Sequence, residues 1–193
     1  MDVILTWDLQ LLHAINQAFD GTIIEDFLIL IRNKYIWIPL YLAIITYVFS
    51  AYDLHKASYY ILFIVTAVSI TDIVSSKLVK NAVKRPRPCQ QVSLQGQLNQ
   101  RVYCGRSYSF TSSHATNHFG IATMMVFLFG RRRRWVGITF FTWATLISIA
   151  QVYVGVHYPL DILGGACLGI ALVRICAKIY SPWLSQATTQ TTA

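Results

Sequence analysis

Apolar residues fall along this chain in long blocks rather than in short alternations. Blocks at 58–79, 114–130, 135–156 and 158–179 each approach the roughly 20 residues that a bilayer-spanning helix needs. A fifth block at 35–50, YIWIPLYLAIITYVFS, is shorter, and Trp37 and its tyrosines suit a membrane–water boundary. The stretch 22–33 mixes Ile and Leu with Glu25, Asp26 and Arg32, and either completes a sixth helix or extends along the interface. Ahead of it, Ile4, Leu5, Leu9, Leu11, Leu12, Ile15 and Phe19 recur near helical spacing. That pattern predicts an amphipathic helix, lying in the interface or packed on the bundle. The chain therefore reads as all-α: a polytopic membrane helical bundle with five or six transmembrane helices and an N-terminal amphipathic helix. Its expected divisions are an interfacial region at 1–34, a membrane domain at 35–180, and a disordered polar tail at 181–193 ending in SQATTQTTA.

Composition agrees with lipid as the solvent. Of 193 residues, 55% are hydrophobic and 12% charged, against about a quarter charged in soluble domains. Mean hydropathy is +0.49. The net charge of +8 could suit nucleic acid, but the basic residues fall between apolar blocks rather than on one soluble face. Anionic headgroups and phosphate fit better, and no nucleic-acid partner is expected. Asp2 and Asp8 stand where a cleavable signal peptide would carry basic residues.

Charge also sets the orientation. The run Arg131, Arg132, Arg133 and Arg134 between two spans should lie in the cytoplasm, with Lys56, Arg174 and Lys178 on the same side. The polar segment 80–113 and the turn near His157 are then outside. That segment is itself basic, and phosphate binding is a reason for a basic cluster on that side. Cys167 and Cys176 fall within the last block and read as small apolar residues. Cys89 and Cys104 bracket the outer segment and can pair in an oxidising compartment.

Three segments carry chemistry. In the first, Lys80 to Pro88, two prolines end a helix and stiffen the chain around Arg85 and Arg87. Guanidinium forks and an ammonium point charge match phosphate oxygens; headgroup contact alone would use the same residues. In the second, Ser112, Ser113 and His114 open an apolar span. Free backbone N–H groups at a helix start bind anions, and a histidine there can serve as a general acid. A plain N-cap explains the hydroxyls equally well. In the third, His157 and Asp161 stand four apart at the junction of two spans. A carboxylate holding one imidazole nitrogen leaves the other free to attack. Ionisable pairs at a membrane boundary mark function more often than structure.

Taken in order, these segments resemble the type-2 phosphatidic acid phosphatase (lipid phosphate phosphatase) superfamily, whose motifs run K-x6-R-P, P-S-G-H and S-R-x5-H-x3-D. Here they read Lys80 to Arg87 and Pro88; Thr111, Ser112, Ser113 and His114; and Ala150 and Gln151 to His157 and Asp161. The resemblance covers roughly residues 58–180. It implies a helical bundle that needs no metal or other cofactor. His157 becomes the nucleophile that forms a phosphohistidine, Asp161 its partner, and His114 the proton donor to the leaving alkoxide. Lys80, Arg87, Ser112, Ser113, Gln151 and Arg85 become the phosphate-binding set. Three substitutions are mild: Thr111 for proline, Ser113 for glycine and Ala150 for serine. The fourth removes a charge, because Gln151 stands where the family has arginine. Arg85, Lys84 and Arg106 are the cations expected to compensate.

The expectation is thus an integral membrane phosphatase, in a bacterial inner membrane, acting on its periplasmic face. Its substrate would be a phosphomonoester or diphosphate of a lipid: phosphatidate, phosphatidylglycerol phosphate, a polyprenyl diphosphate or a lipid A. Two other readings compete. One is a non-catalytic phospholipid-binding or transporter-like protein of the same fold, motivated by Gln151. The other is a zinc-dependent hydrolase built on His114 and His118, four apart, with His157 and Asp161.

Overall fold

The computed structural model describes residues 2–130 and 133–189, and all regular structure among them is helical. The helices are α1 (Asp2–Gln17), α2 (Ile23–Ile31), α3 (Ile38–Ala51), α4 (Leu54–Ile73), α5 (Lys80–Val83), α6 (Ser113–Phe129), α7 (Arg134–Tyr153) and α8 (Pro159–Thr189). A π-helical segment, Val74–Val79, joins α4 to α5 in one run. Four helical stretches among the described residues are long and apolar enough to cross a membrane: Lys34–Ala51, Leu54–Val83, Arg134–Tyr153 and Pro159–Leu184. The protein is an all-α integral membrane bundle. Helix α2 has nine residues, about 14 Å at 1.5 Å per residue, too short to cross on its own.

Local chemistry places the ends. Asp53 caps α4 by accepting from the Lys56 N–H at 3.0 Å, and Ser112 caps α6 by accepting from Ala115 N–H at 3.4 Å. Pro159 opens α8, where its missing N–H costs nothing. Glu25 and Asp26 occupy the first turn of α2, the end that favours negative charge.

Helix α6 is the centre of the bundle, with α4, α7 and α8 around it. Phe63, Ala67, Ala122, Met125, Ala144, Ile147 and Val173 form part of the buried core between them. Small residues set the α6–α8 approach: a Cβ on Gly165 would meet the Ser112 carbonyl at 2.7 Å, and one on Gly169 would collide with the Thr116 carbonyl. Without a hydrophobic drive between helices in lipid, such backbone proximity supplies the packing.

The N-terminal helix packs on the bundle. Leu12 is fully buried with Leu94, Val152 and Tyr158, and Asn16 Nδ2 donates to the Tyr153 carbonyl at 2.7 Å. The other face of α1 exposes Val3, Ile4, Trp7 and Leu11, so the helix is apolar on both faces rather than amphipathic, and one of those faces packs on protein. Beyond it, Arg101 ties the α1–α2 turn and α2 to the end of α7. Its guanidinium pairs with Asp20 and with Glu25 at 2.8 Å, and lies 4.0 Å from the centre of the Tyr153 ring.

At the other terminus α8 runs through Pro182 to Thr189, into the stretch read from sequence as a tail. Leu184 is buried against the core, which extends the helix past the point where polar residues begin. Residues 190–193, like Arg131 and Arg132 of the basic run, lie outside the described residues.

Candidate active site

The last sequence segment becomes a sharp turn between α7 and α8. Gly155 takes a φ of 78°, and the Gly155 and Val156 N–H groups donate back to Val152 and Gln151. This left-handed helix terminus suits glycine and brings His157 under the loop between α5 and α6. His157 is 2% exposed and Asp161 is fully buried.

Asp161 is held from all sides. Its Oδ2 faces His157 Nδ1 at 3.4 Å, accepts from the Tyr158 N–H at 2.9 Å, and accepts from the Ser109 hydroxyl. Its Oδ1 accepts from Arg85 at 2.8 Å. Ser109 Oγ also lies 3.3 Å from His157 Nδ1. With Nδ1 so engaged, Nε2 is the nitrogen left for chemistry. Burial pulls the His157 imidazole down to about 4, against the upward pull of Asp161. It is therefore neutral at ordinary pH, the form that can attack.

Arg85 was expected at the phosphate. The structure instead spends its guanidinium on two carboxylates, Asp161 and Asp8, the latter at 2.6 Å. It is not among the residues lining the cavity beside His157. Asp8 in turn accepts from the Leu160 N–H at 2.9 Å, and the guanidinium lies 3.8 Å from the centre of the Tyr158 ring. Burial lowers the Arg85 pKa, and the two carboxylates outweigh it and raise it. Arg85 thus positions Asp161. The correction is physical: the guanidinium is turned to two buried carboxylates and lies outside the lining of the cavity.

A cavity of about 290 Å³ opens beside His157. Lys80, Arg87, Ser113, His114 and Gln151 line it with His157, and so does Arg32. No carboxylate does. Lys80 is buried and donates to the Tyr108 carbonyl at 2.8 Å. It follows the π-helical segment, where Ser75 Oγ bonds Ser113 Oγ at 3.0 Å; such irregular turns recur at functional sites. Arg87 donates to Ser107 through its Nε at 2.7 Å and one terminal nitrogen at 2.8 Å. The Cys89–Cys104 disulfide, with Cα atoms 6.0 Å apart, holds these two strands of the loop together. Burial pushes the Arg87 guanidinium down from its ordinary value.

Other expected residues fall elsewhere. Ser112 is fully buried as the α6 cap, and Ser113 is the hydroxyl on the cavity. Lys84 and Arg106 are exposed and outside the cavity lining. His118 bonds the His114 carbonyl through Nδ1 at 2.7 Å and packs on Trp143. Among the described residues, no three of His, Cys, Asp or Glu gather as a metal site. Sequence reasoning missed Asp8, Ser109 and Arg32. Asp8 stood out only as an acid near the start, and Arg32 only as an interruption of an apolar stretch.

His114 and Ser113 also line a second space, an apolar groove of about 420 Å³. Tyr41, Ile44, Ile64, Ile121, Met124 and Met125 form much of its wall. The chemical cavity and a lipid-like cleft thus meet at His114.

Residues 57–184 match the PAP2 superfamily. A lipid A 4′-phosphatase of Bacteroides thetaiotaomicron is 29% identical over 150 residues, covering 75% of this chain and 64% of its own length. A lipid A 4′-phosphatase of Porphyromonas gingivalis is 25% identical over 189 residues, covering 95% of this chain and 79% of its own. The crystal structure of Aquifex aeolicus LpxE superposes with a TM-score of 0.66 at 25% identity, over 88% of this chain and 94% of that one. The PAP2-type phosphatidylglycerolphosphate phosphatase of Bacillus subtilis, 20% identical with a TM-score of 0.68 over 94% of this chain and 88% of that one, shares the fold.

Proposed function

The chain belongs to the PAP2 superfamily, and from that premise we propose that it hydrolyses the phosphate ester of a membrane lipid through a phosphohistidine on His157. The observation that carries this is the cavity itself: a neutral histidine, backed by Asp161, facing Lys80, Arg87 and His114. His157 Nε2 attacks phosphorus while the bond from phosphorus to the lipid oxygen breaks. A phosphate dianion bound beside His114 favours its protonated form, which then gives its proton to the departing alkoxide. Asp161 stabilises the positive charge that develops on the His157 ring. Lys80, Arg87 and Ser113 hold the phosphoryl oxygens, the contribution that dominates phosphoryl transfer. His114, now neutral, takes a proton from water as that water attacks phosphorus. The phosphorus–nitrogen bond breaks, releasing inorganic phosphate and restoring both histidines.

The apolar groove supports an amphiphile whose headgroup enters the cavity past His114 while its chains stay among Ile44, Ile64 and Met125. The two lipid A 4′-phosphatase relatives make a lipid A phosphomonoester the first substrate to try. We place the site on the periplasmic side of a bacterial inner membrane. A disulfide in the outer loop supports that side, and so do Arg134 and Lys178 at the opposite end of α7 and α8.

The test is phosphate release by purified protein from lipid A, phosphatidate, phosphatidylglycerol phosphate and a polyprenyl diphosphate, beside His157→Ala. Release from at least one, absent in the variant, is expected. No release from any lipid, or an active His157→Ala, would overturn the reading.

A further inference from the structure

The sequence carries glutamine at position 151, where the motif it resembles carries arginine, and the cations expected to compensate stand elsewhere. Arg85 is held by two aspartates; Lys84 and Arg106 face solvent. The cavity nevertheless contains a further cation. Arg32, at the C-terminal cap of α2, lines the same cavity as Gln151, His114 and His157. Its side chain makes no ion pair among the described residues, and its Nε is buried without a hydrogen-bond partner. Gln151 Nε2 is buried and unpartnered in the same way.

Two unpaired buried donors in one small cavity are costly unless a ligand satisfies them. Three cations around it without a carboxylate repel one another unless an anion enters. Both costs fall at the same place, and both are removed by a phosphoryl group. We propose that Arg32 supplies, from α2, the charge that position 151 lacks, and that its guanidinium and the Gln151 amide together hold one phosphoryl oxygen.

The surrounding structure holds Arg32 there. Trp37 donates its indole N–H to the Ile31 carbonyl at 2.7 Å, tying down the end of α2. The same indole packs edge-on against Trp143 of α7, ring centres 5.2 Å apart. Trp143 precedes Gln151 by about two helical turns, so this contact fixes α2 against the helix that carries Gln151. Arg32 also follows the carbonyl end of α2, where a positive charge is favourable. A purely structural role would use that contact alone and would leave the unpaired Nε unexplained.

This inference rests on the phosphatase reading and is tested separately from it. Arg32→Ala, Arg32→Lys, Arg32→Gln, Gln151→Arg and the Arg32→Ala/Gln151→Arg double variant are compared with wild type for kcat/KM on the best lipid. The same proteins are titrated with orthovanadate, whose trigonal bipyramid imitates the transferring phosphoryl group, by inhibition and by calorimetry. Thermal unfolding in detergent reports on folding. Arg32→Ala should lose at least 30-fold in kcat/KM and weaken orthovanadate to a similar degree. Arg32→Lys should lose less, because it keeps the charge and the stem. The double variant should regain at least tenfold over Arg32→Ala. A folded Arg32→Ala within threefold of wild type, with unchanged orthovanadate affinity, would overturn the proposal while the phosphatase reading stood. Should Arg32→Ala fail to fold, Arg32→Gln decides, because it keeps much of the stem and loses the charge, and wild-type orthovanadate affinity in it would be the overturning result. An impaired Arg32→Ala that Gln151→Arg does not rescue would refute the pairing with Gln151. If no lipid is hydrolysed, the calorimetric arm still judges Arg32.

Discussion

At the level of single residues, the site is a contrast between one neutral base and several fixed charges. Burial pulls His157 down to about 4 from an ordinary 6.5. A histidine at its ordinary value would lose its nucleophilic form as pH fell through 6.5. This one should keep it until pH nears 4. With an aryl phosphate whose leaving group needs no proton, the His157 acid limb of kcat/KM should therefore lie well below pH 6.5. A limb at 6.5 would mean that water reaches the imidazole freely. Behind the histidine, Asp8 has a definable share: it is 3% exposed and its partner Arg85 also serves Asp161. Asp8→Ala leaves Arg85 with one carboxylate and the Leu160 N–H without its acceptor. Breaking such a buried pair costs about 3 kcal/mol, so the variant should melt earlier and turn over more slowly, read by thermal unfolding and phosphate release.

At the level of elements, two features hold the charged side chains in place. The first is the α6–α8 contact. Even alanine at position 169 would push against the Thr116 carbonyl, two residues along α6 from His114. Overpacking of this kind costs about 1–3 kcal/mol, so Gly169→Ala should lower the melting temperature and, by spreading the helices, the activity. Full activity and unchanged melting in that variant would show that α8 can slide. The second is the Cys89–Cys104 link across 15 residues. In the chain-entropy picture, closing such a loop is worth about 3 kcal/mol. Its ends flank Arg87 and the Ser107 that Arg87 grips. The double serine variant should thus raise KM as well as lower stability, and mass spectrometry of unreduced peptides from membranes should show the two cysteines joined.

At the level of the whole molecule, one end of the bundle carries the cavity and loop and the other carries Lys56, Arg133 and Arg134. If the cavity end faces outward, Val92→Cys, exposed in the loop, should react with an impermeant thiol reagent applied to intact cells. Trp135→Cys, exposed at the far end, should react only after the membrane is opened. The reverse pattern would invert the orientation. Much of this architecture was legible in the amino-acid order, because lipid imposes a simple rule: long apolar blocks become helices, and the polar segments between them collect at the ends. Spacing carried local pairs as well. His157 and Asp161 stand one helical turn apart, so four residues of sequence were enough to join them. Cys89 and Cys104 were joined because they flank one polar segment. What sequence could not show was which distant residues share a wall. Asp8 reaches the site across 153 positions to Asp161, and Arg32 reaches it across 119 to Gln151. Neither belongs to any local period or motif. Arg85, read as a phosphate ligand from its neighbours in the chain, was claimed by Asp8 and Asp161 because a buried carboxylate needs a cation more than an open cavity does. The helices and the local pairs follow from short-range order; which cation pairs with Asp161 and which lines the cavity is decided only when α1 and α2 fold back over it.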